Sequence, residues 1–114
     1  MLSKKNRLTE EKDFVRVQAN GKVYQSANFG IAVADRNDSG PSRFAFVVSN
    51  KIAKEAVDRN RIKRVMSEVI RLNVANIRDG LDVVFLAKPS ITRVPTTEIM
   101  KEVKESLEKN KFFK

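Results

Sequence analysis

A chain of 114 residues with 41% hydrophobic content is long enough for one core and too short for two ordinary domains, so we predict a single domain over residues 1–114. Its 23 Lys and Arg against 14 Asp and Glu give a net charge of +9, which indicates an anionic partner, either a nucleic acid or a membrane surface. The absence of cysteine and histidine excludes disulfides and thiolate metal sites and removes the commonest general base, so catalysis by this chain alone is not expected.

The chain begins with a basic arm over residues 1–7 that shows no hydrophobic periodicity. Thr9 then has the character of a helix cap, because acids suited to a first helical turn follow it. Phe14 and Val17 lie at helical spacing, and Asn20-Gly21 is a stop signal. A short amphipathic helix is therefore predicted after the arm.

The next segments are predicted to be strands whose two faces differ in bulk. A brief strand at residues 22–25 is followed by residues 29–34 and 44–49, in which large and small side chains alternate. We expect the large side chains to face the core. The other face carries Ala32, Ala34, Ala45, Val47 and Ser49. This face is either a shallow trough for an extended nucleic acid or a sheet surface covered by a helix, and the residues favour neither.

Residues 56–74 have the periodicity of an α-helix and contain the densest positive charge, Arg59-Asn60-Arg61-Ile62-Lys63-Arg64. The side predicted to be core carries Ile62, Val65, Met66, Val69, Ile70 and Leu72. The opposite side carries Asn60, Lys63, Arg64, Ser67, Glu68 and Arg71, with Arg59 and Arg61 at its borders. Lys51 lies in a basic loop, residues 50–54, that leads into the helix.

The cations of this helix have few carboxylates to balance them, so they repel one another unless an anionic partner is present. A solvated helix face is the ordinary explanation of a charge run, but the imbalance favours a phosphate backbone. A helix-turn-helix would place two short helices before its recognition helix, whereas this one follows a strand and a basic loop. We therefore interpret it as an RNA-binding helix and expect no DNA partner.

The last third of the chain is predicted to contain a strand and a helix. Residues 82–88 form an apolar run bounded by a turn and by Pro89, as expected of a strand inside a sheet. Pro95 opens a helix with Ile99, Val103 and Leu107 at helical spacing. The order of elements predicts a compact α+β sandwich.

Two further functions are disfavoured. A metal-dependent nuclease needs clustered carboxylates, whereas Asp35 and Asp38 lie in one predicted turn, Asp79 and Asp82 flank another, and Glu68 is expected to pair with a neighbouring arginine. The longest apolar runs fall far short of the ~20 residues of a membrane-spanning helix, and the first residues lack the apolar core of a signal peptide. A cytoplasmic protein without a membrane partner is expected.

Residues 48–64, VSNKIAKEAVDRNRIKR, strongly resemble the signature of the bacterial ribonuclease P protein component. The resemblance extends to Arg7-Leu8, to Asp13-Phe14, to the sheet residues around Phe29 and Phe44, and to residues 82–89. It implies the order α-β-β-β-α-β-α, a mixed sheet and an uncommon left-handed β-α-β crossover.

The resemblance also implies a role. This family belongs to a ribonucleoprotein endonuclease that removes the 5′ leader of precursor tRNA. Its catalytic centre and magnesium ions reside in the RNA subunit, so no catalytic residue, metal site or organic cofactor is expected in this chain. The implied partners are the catalytic RNA subunit and precursor tRNA.

The site residues expected in this chain fall into two groups. Those expected to bind RNA are Arg59, Asn60, Arg61, Lys63 and Arg64, with Lys51 and Arg71 from the same basic surface. Those expected to bind the leader are Phe14, Arg7, Ala32, Ala45, Val47 and Ser49. The sequence departs from the family at Gln18 and Ala32, where aromatics are common, and at Ser67, where arginine is common. These departures weaken base stacking and leave phosphate contacts mostly intact. The alternative is a generic RNA-binding or ribosome-associated protein with no role in cleavage.

Overall fold

The computed structural model describes residues 2–114 and contains three α-helices and four β-strands in that range. In chain order they are α1 (Glu11–Asn20), β1 (Lys22–Gln25), β2 (Phe29–Asp35), β3 (Arg43–Val47), α2 (Ala56–Asn73), β4 (Leu81–Ala87) and α3 (Thr96–Lys109). Short 3₁₀ turns lie at Lys4–Asn6, Val74–Asn76 and Pro89–Arg93. The predicted order of elements is confirmed. None of these helices has the length and apolar character needed to cross a membrane.

The four strands form one mixed sheet in the order β1-β2-β4-β3. The β1–β2 and β2–β4 pairs are antiparallel, whereas β3 and β4 are parallel neighbours joined through α2. The interior position predicted for the strand after Gly80 is confirmed, because Val84 of β4 lies opposite Ala32 on one side and Ala45 on the other. The left-handedness of the β3–α2–β4 connection stays a prediction.

The main core lies between one face of the sheet and the helices α2 and α3. The Phe85 ring lies 5.7 Å from that of Phe29 and 5.3 Å from that of Phe46, which fixes the aromatic centre of this layer. The fully buried helix residues that pack here are Ile62, Met66 and Ile70 of α2 and Ile99, Val103 and Leu107 of α3. The predicted apolar stripes of both helices therefore face the sheet.

The small-residue face of the sheet is partly covered by α1. Val17 and Phe14 pack over a second cluster formed by Leu8, Ala32, Ala34, Ala45 and Val84. Farther along the same face, Val47 and Leu86 lie opposite each other and remain 39% and 40% exposed. Thus α1 covers one end of this face, as one of the two interpretations expects, and leaves the other end open; the binding of nucleic acid there stays a prediction.

The basic arm packs against the edge of the sheet. Leu2 and Asn6 are both 5% exposed. The Asn6 side-chain amide donates to the Ser42 carbonyl at 2.8 Å, and the Leu8 amide donates to the Phe44 carbonyl at 2.9 Å. These contacts shield the outer edge of β3, which would otherwise offer unpaired backbone groups.

Two sequence predictions about helix residues are wrong. Leu72 is 61% exposed, although it lies in line with Val65 seven residues earlier. It belongs to the last turn of α2, beyond which the chain turns away at Val74–Asn76 and leaves this side chain uncovered. Thr9 does not cap α1: the N-cap residue is Glu10, and no side-chain hydrogen bond caps the helix.

Asp82 was predicted to follow a turn and to begin a strand, and it does lie at the start of β4; the sequence did not predict that its side chain has no exposed surface. Its carboxylate accepts hydrogen bonds from Arg36 at 2.6 Å, from Arg43 at 2.8 Å and from Arg16. Burial alone raises the pKa of Asp82, but the bonds from Arg43, Arg16 and Arg36 outweigh it and hold that pKa below its usual value. Compensation by arginine explains how a charged group occupies the interior.

Candidate nucleic-acid interface

A cavity of about 480 Å³ opens where the N-terminal arm, α1, β3 and α2 meet. Its apolar lining consists of Leu2, Leu8, Phe14, Phe44, Ala45 and Phe46, and its polar lining of Arg7, Thr9, Asn60, Lys63, Arg64 and Ser67. Three of these side chains are cationic and none is acidic. An apolar floor with a cationic rim suits a ligand that is both aromatic and anionic, as a nucleotide is.

The exposed side of α2 supplies the cationic rim. Asn60, Lys63 and Arg64 are exposed and lie on successive turns of the helix, so their side chains point to the same side of the cavity. Within residues 2–114, no carboxylate forms an ion pair with Lys63 or Arg64. Their charge is therefore available to phosphate groups.

Arg59 and Arg61, at the borders of this face, are both half-buried and make contacts within the protein. Arg59 Nη1 donates to the carbonyl oxygens of Ala53 at 2.9 Å and Lys54 at 2.7 Å. Arg61 Nη1 donates to Thr96 Oγ1 at 3.3 Å, at the start of α3. One nitrogen of each guanidinium is thus engaged in contacts that hold the segments around α2.

Lys51 is exposed in the loop that leads into α2 and does not line the cavity. The Ser49 carbonyl accepts hydrogen bonds from the amides of Ile52 at 3.0 Å and Ala53 at 3.2 Å, which tightens this loop into a turn. With Arg59 bonded to its far end, the loop has a defined shape that presents Lys51 to solvent.

Arg71 differs from the other cations of α2 because it is already paired. Its Nε and Nη2 atoms donate to the two carboxylate oxygens of Glu68 at 3.0 and 2.5 Å. The hydrogen bond from Arg71 holds the pKa of Glu68 below its usual value. The expected pairing of Glu68 is confirmed, and Arg71 offers less uncompensated charge than Lys63 or Arg64.

The residues predicted to bind the leader fall into three positions. Phe14, Arg7 and Ala45 line the cavity together. Val47 and Ser49 are exposed on the adjoining end of β3 and the residues after it. Ala32 is only 5% exposed, because α1 packs over it. The structure thus brings three of these side chains to one place, and their role in binding stays a prediction.

The sequence did not identify all of the cavity lining. Phe44 and Phe46 were predicted to be core, and they also line the cavity. Thr9 was predicted only as a helix cap and Leu2 only as part of the arm, because their place in the lining depends on tertiary structure. Ser67 also lines the cavity and donates to the Arg64 carbonyl at 3.1 Å.

The aspartates that lie close together in the described residues are paired with arginine. Residues 2–114 contain no group of three or more His, Cys, Asp or Glu arranged to hold a metal ion. Asp13, Asp38 and Asp82 are each paired with arginine, so their charge is already compensated. A cation entering there would have to displace the arginines.

Comparisons with known proteins agree on one family. A family model described as Ribonuclease P matches residues 2–111. The chain is 31% identical over 111 residues to the ribonuclease P protein component of a Pseudanabaena species, covering 97% of this chain and 96% of the relative. It is 33% identical over 113 residues to that of Caldanaerobacter subterraneus, covering 99% and 96%.

Solved structures support the same fold. The Staphylococcus aureus RNase P protein superposes with a TM-score of 0.88 over 96% of this chain and 98% of that one, at 24% identity. The Thermotoga maritima RNase P protein, solved in complex with 1-(4-fluorophenyl)-2-thiourea, superposes with a TM-score of 0.78 at 27% identity, covering 89% of this chain and 96% of that one. The family match over nearly the whole length, together with this fold and its cation-rimmed cavity, shows that the chain belongs to the ribonuclease P protein component family.

Proposed function

We propose that this chain binds the catalytic RNA subunit of ribonuclease P and the 5′ leader of precursor tRNA, and so assists removal of the leader. The observation that carries this proposal is the single cavity lining that combines Phe14 and Ala45 with Lys63 and Arg64. The role would place the protein in the cytoplasm with the precursor tRNA. The residues serve binding and orientation, and the bond-breaking chemistry belongs to the RNA partner.

The exposed side of α2 is the proposed contact with the RNA subunit. In the described part of the chain no carboxylate pairs with Lys63 or Arg64, and phosphates that approach them displace condensed counterions, which favours binding at low salt. Arg59 and Arg61 add charge at the borders, and Lys51 extends the cationic surface along the loop. Arginine suits this role because its planar guanidinium donates to two phosphate oxygens at once.

The cavity and the open end of the sheet face are the proposed leader site. A single-stranded leader can lie against Ala45 and Val47, since neither side chain is large enough to obstruct a backbone. Phe14 at the border can stack on one base. Mature tRNA has no leader and gains none of this contact, so even ~1.4 kcal/mol gives a tenfold preference for the precursor.

Magnesium is assigned to the RNA partner. The aspartates of this chain that lie close together are compensated by arginine and do not fit a hydrated divalent cation. No step of the proposed role passes through a metal held by this chain.

Reconstitution with a bacterial ribonuclease P RNA tests the proposal. Purified protein alone should not cleave precursor tRNA, the RNA alone should require high magnesium, and the two together should cleave at lower magnesium. Cleavage by RNA-free protein would contradict the division of labour. Equal cleavage with and without the protein at every magnesium concentration would favour the alternative, a generic RNA-binding protein that shares the charge.

A further inference from the structure

A cluster of charged residues lies beside α1 and takes no part in the RNA contacts proposed above. Its members are Asp13 and Arg16 of α1, Arg43 and Asp82 of the sheet, and Arg36 and Asp38 of the loop after β2. The three arginines balance the three aspartates, so the cluster is neutral. It joins a helix, two strands and a loop around one fully buried carboxylate.

The hydrogen bonds and ion pairs between α1 and the sheet join particular atoms of four side chains. Arg16 Nη2 contacts Asp13 Oδ1 at 3.0 Å and also donates to Asp82. Arg43 Nη1 lies 3.3 Å from Asp13 Oδ2, while its Nε and Nη2 atoms donate to both oxygens of Asp82 at 2.8 Å. Asp13 and Arg16, in one turn of α1, thus contact Arg43 and Asp82 of the strands. The guanidinium groups are planar and donate in fixed directions, so these contacts depend on orientation.

Apart from this cluster, little holds α1 in place. The helix has ten residues and no side-chain cap, and an isolated helix of that length is marginal in water. Val17 is its fully buried apolar residue, Phe14 is half-buried, and Val15 is 56% exposed. The apolar contact is therefore small.

The surface under α1 also offers little to fix its rotation or position. Ala32, Ala34 and Val84 are small or compact side chains that form a shallow floor. Hydrophobic burial against such a floor is non-directional, so it favours contact without selecting one placement. Buried ion pairs add little net stability, because desolvation offsets their attraction, but their geometry can select one arrangement over others.

We propose that Arg16 and Asp82 are positioning residues for leader recognition: the ion cluster places α1 on the sheet so that Phe14 borders the cavity. Phe14 lies between Asp13 and Arg16 in sequence, so any rotation or slide of this turn moves its ring. The inference rests on the proposed leader site. It adds that the preference for precursor tRNA depends on residues that touch neither RNA.

A charge-neutral double variant tests this. Asp13→Asn with Arg16→Met removes both α1 members of the cluster and leaves the net charge at +9, so long-range attraction to RNA is preserved. Arg36, Asp38, Arg43 and Asp82 remain paired with one another. We expect the holoenzyme's affinity for precursor tRNA relative to mature tRNA to fall about fivefold to tenfold, the low end of the range expected for losing one stacked base. Affinity for the RNA subunit and for mature tRNA should not change.

The matched control is Arg36→Met with Asp38→Asn. It also removes one cation and one anion from the cluster, but it leaves the bonds of Asp13 and Arg16 in place. Amide hydrogen exchange supplies a readout independent of RNA. The α1 amides should exchange faster in the test variant and not in the control, while β2 and β4 remain protected in both.

The outcomes separate this inference from the proposed function. A wild-type holoenzyme that does not prefer precursor tRNA would overturn the proposed leader site, and this inference with it. A wild-type preference that survives in the folded double variant would overturn this inference alone. If the double variant does not fold, Arg16→Lys decides: it keeps the charge but loses the planar donor pair, so an unchanged preference for precursor tRNA would refute the positioning role.

Discussion

Arg59 Nη1 donates a 2.9 Å hydrogen bond to the carbonyl oxygen of Ala53, six residues earlier in the chain. With the second bond, to Lys54, it closes the loop that leads into α2. Arg59→Ala should therefore lower the free energy of unfolding by roughly 1 kcal/mol, as expected for lost hydrogen bonds at a partly exposed site. Lys63→Ala should change it by less than about 0.5 kcal/mol, since Lys63 is exposed and unpaired within residues 2–114. Urea unfolding measures both, and equal losses would refute the structural role of Arg59.

The uncompensated cations of α2 predict a change in the salt dependence of RNA binding. Replacing Lys63 and Arg64 with alanine should reduce the slope of log affinity against log salt by roughly 1.5, because each lost phosphate contact reduces it by about 0.7–0.9. The control is Lys101→Ala with Lys104→Ala, which removes the same charge from the exposed side of α3. Filter binding to the RNA subunit at several salt concentrations gives the slopes. Similar slopes for the two variants would show that only net charge matters and that α2 is not the docking face.

Glu68 is expected to weaken RNA binding, because its carboxylate accepts hydrogen bonds from the Nε and Nη2 atoms of Arg71. Those two donors are then not available to a phosphate group. Glu68→Gln should release Arg71 and tighten binding to the RNA subunit about twofold to fivefold at low salt, with the gain fading as salt screens the charges. The measurement is the dissociation constant at low and physiological salt. Unchanged or weaker binding at low salt would place Arg71 outside the contact surface.

The buried carboxylate of Asp82 predicts a specific loss of stability in acid. Its pKa is lower in the folded protein than in the unfolded chain, so the unfolded chain binds the proton more readily as pH falls. The stability that ionised Asp82 contributes is complete at a pH above the pKa of an unfolded aspartate, about 3.9. It is lost as the pH falls from there through the lower pKa of Asp82 in the folded protein. The other charged groups of the cluster are Arg16, Arg36, Arg43, Asp13 and Asp38.

Asp82→Asn should cost roughly 3–5 kcal/mol at pH 7, because it leaves arginines near the interior without their main partner. The difference in unfolding free energy between wild type and this variant should shrink below pH 4. Urea unfolding at a series of pH values measures it. A constant difference down to pH 2 would contradict the assignment of the ionised form to Asp82.

The sequence predicted the elements and the main core because both depend on local periodicity. Ile62, Met66 and Ile70 recur at helical spacing, and the bulk difference between Phe44 and Ala45 marks the two faces of β3. The sequence wrongly predicted that Leu72 is buried, because hydrophobic periodicity continues to the end of a helix whether or not another element covers its last turn. The burial of Asp82 was not predicted for a related reason: it depends on arginines 39, 46 and 66 residues away in the chain.

The candidate site could be predicted only in part. The cations of α2 can be recognised in the sequence as a charge imbalance, but their partners in the fold cannot. Arg59 bonds to a loop, Arg71 bonds to Glu68, and Lys63 remains available within residues 2–114. The cavity itself arises where four segments meet, so residues such as Leu2 enter it through tertiary contacts. Family resemblance supplied Phe14 and Ala45, and the structure places both in one lining.

The most direct test of the leader site uses Ala45→Trp, which places an indole where the cavity floor is now a methyl group. The control is Leu72→Trp, which places the same indole at a side chain that is 61% exposed and outside the cavity lining. The measurement is the ratio of holoenzyme affinities for precursor and mature tRNA. We expect a wild-type ratio of about tenfold or more that Leu72→Trp preserves and Ala45→Trp reduces toward one, with RNA-subunit binding intact. A folded Ala45→Trp protein with the wild-type ratio would contradict the assignment of this cavity to the leader.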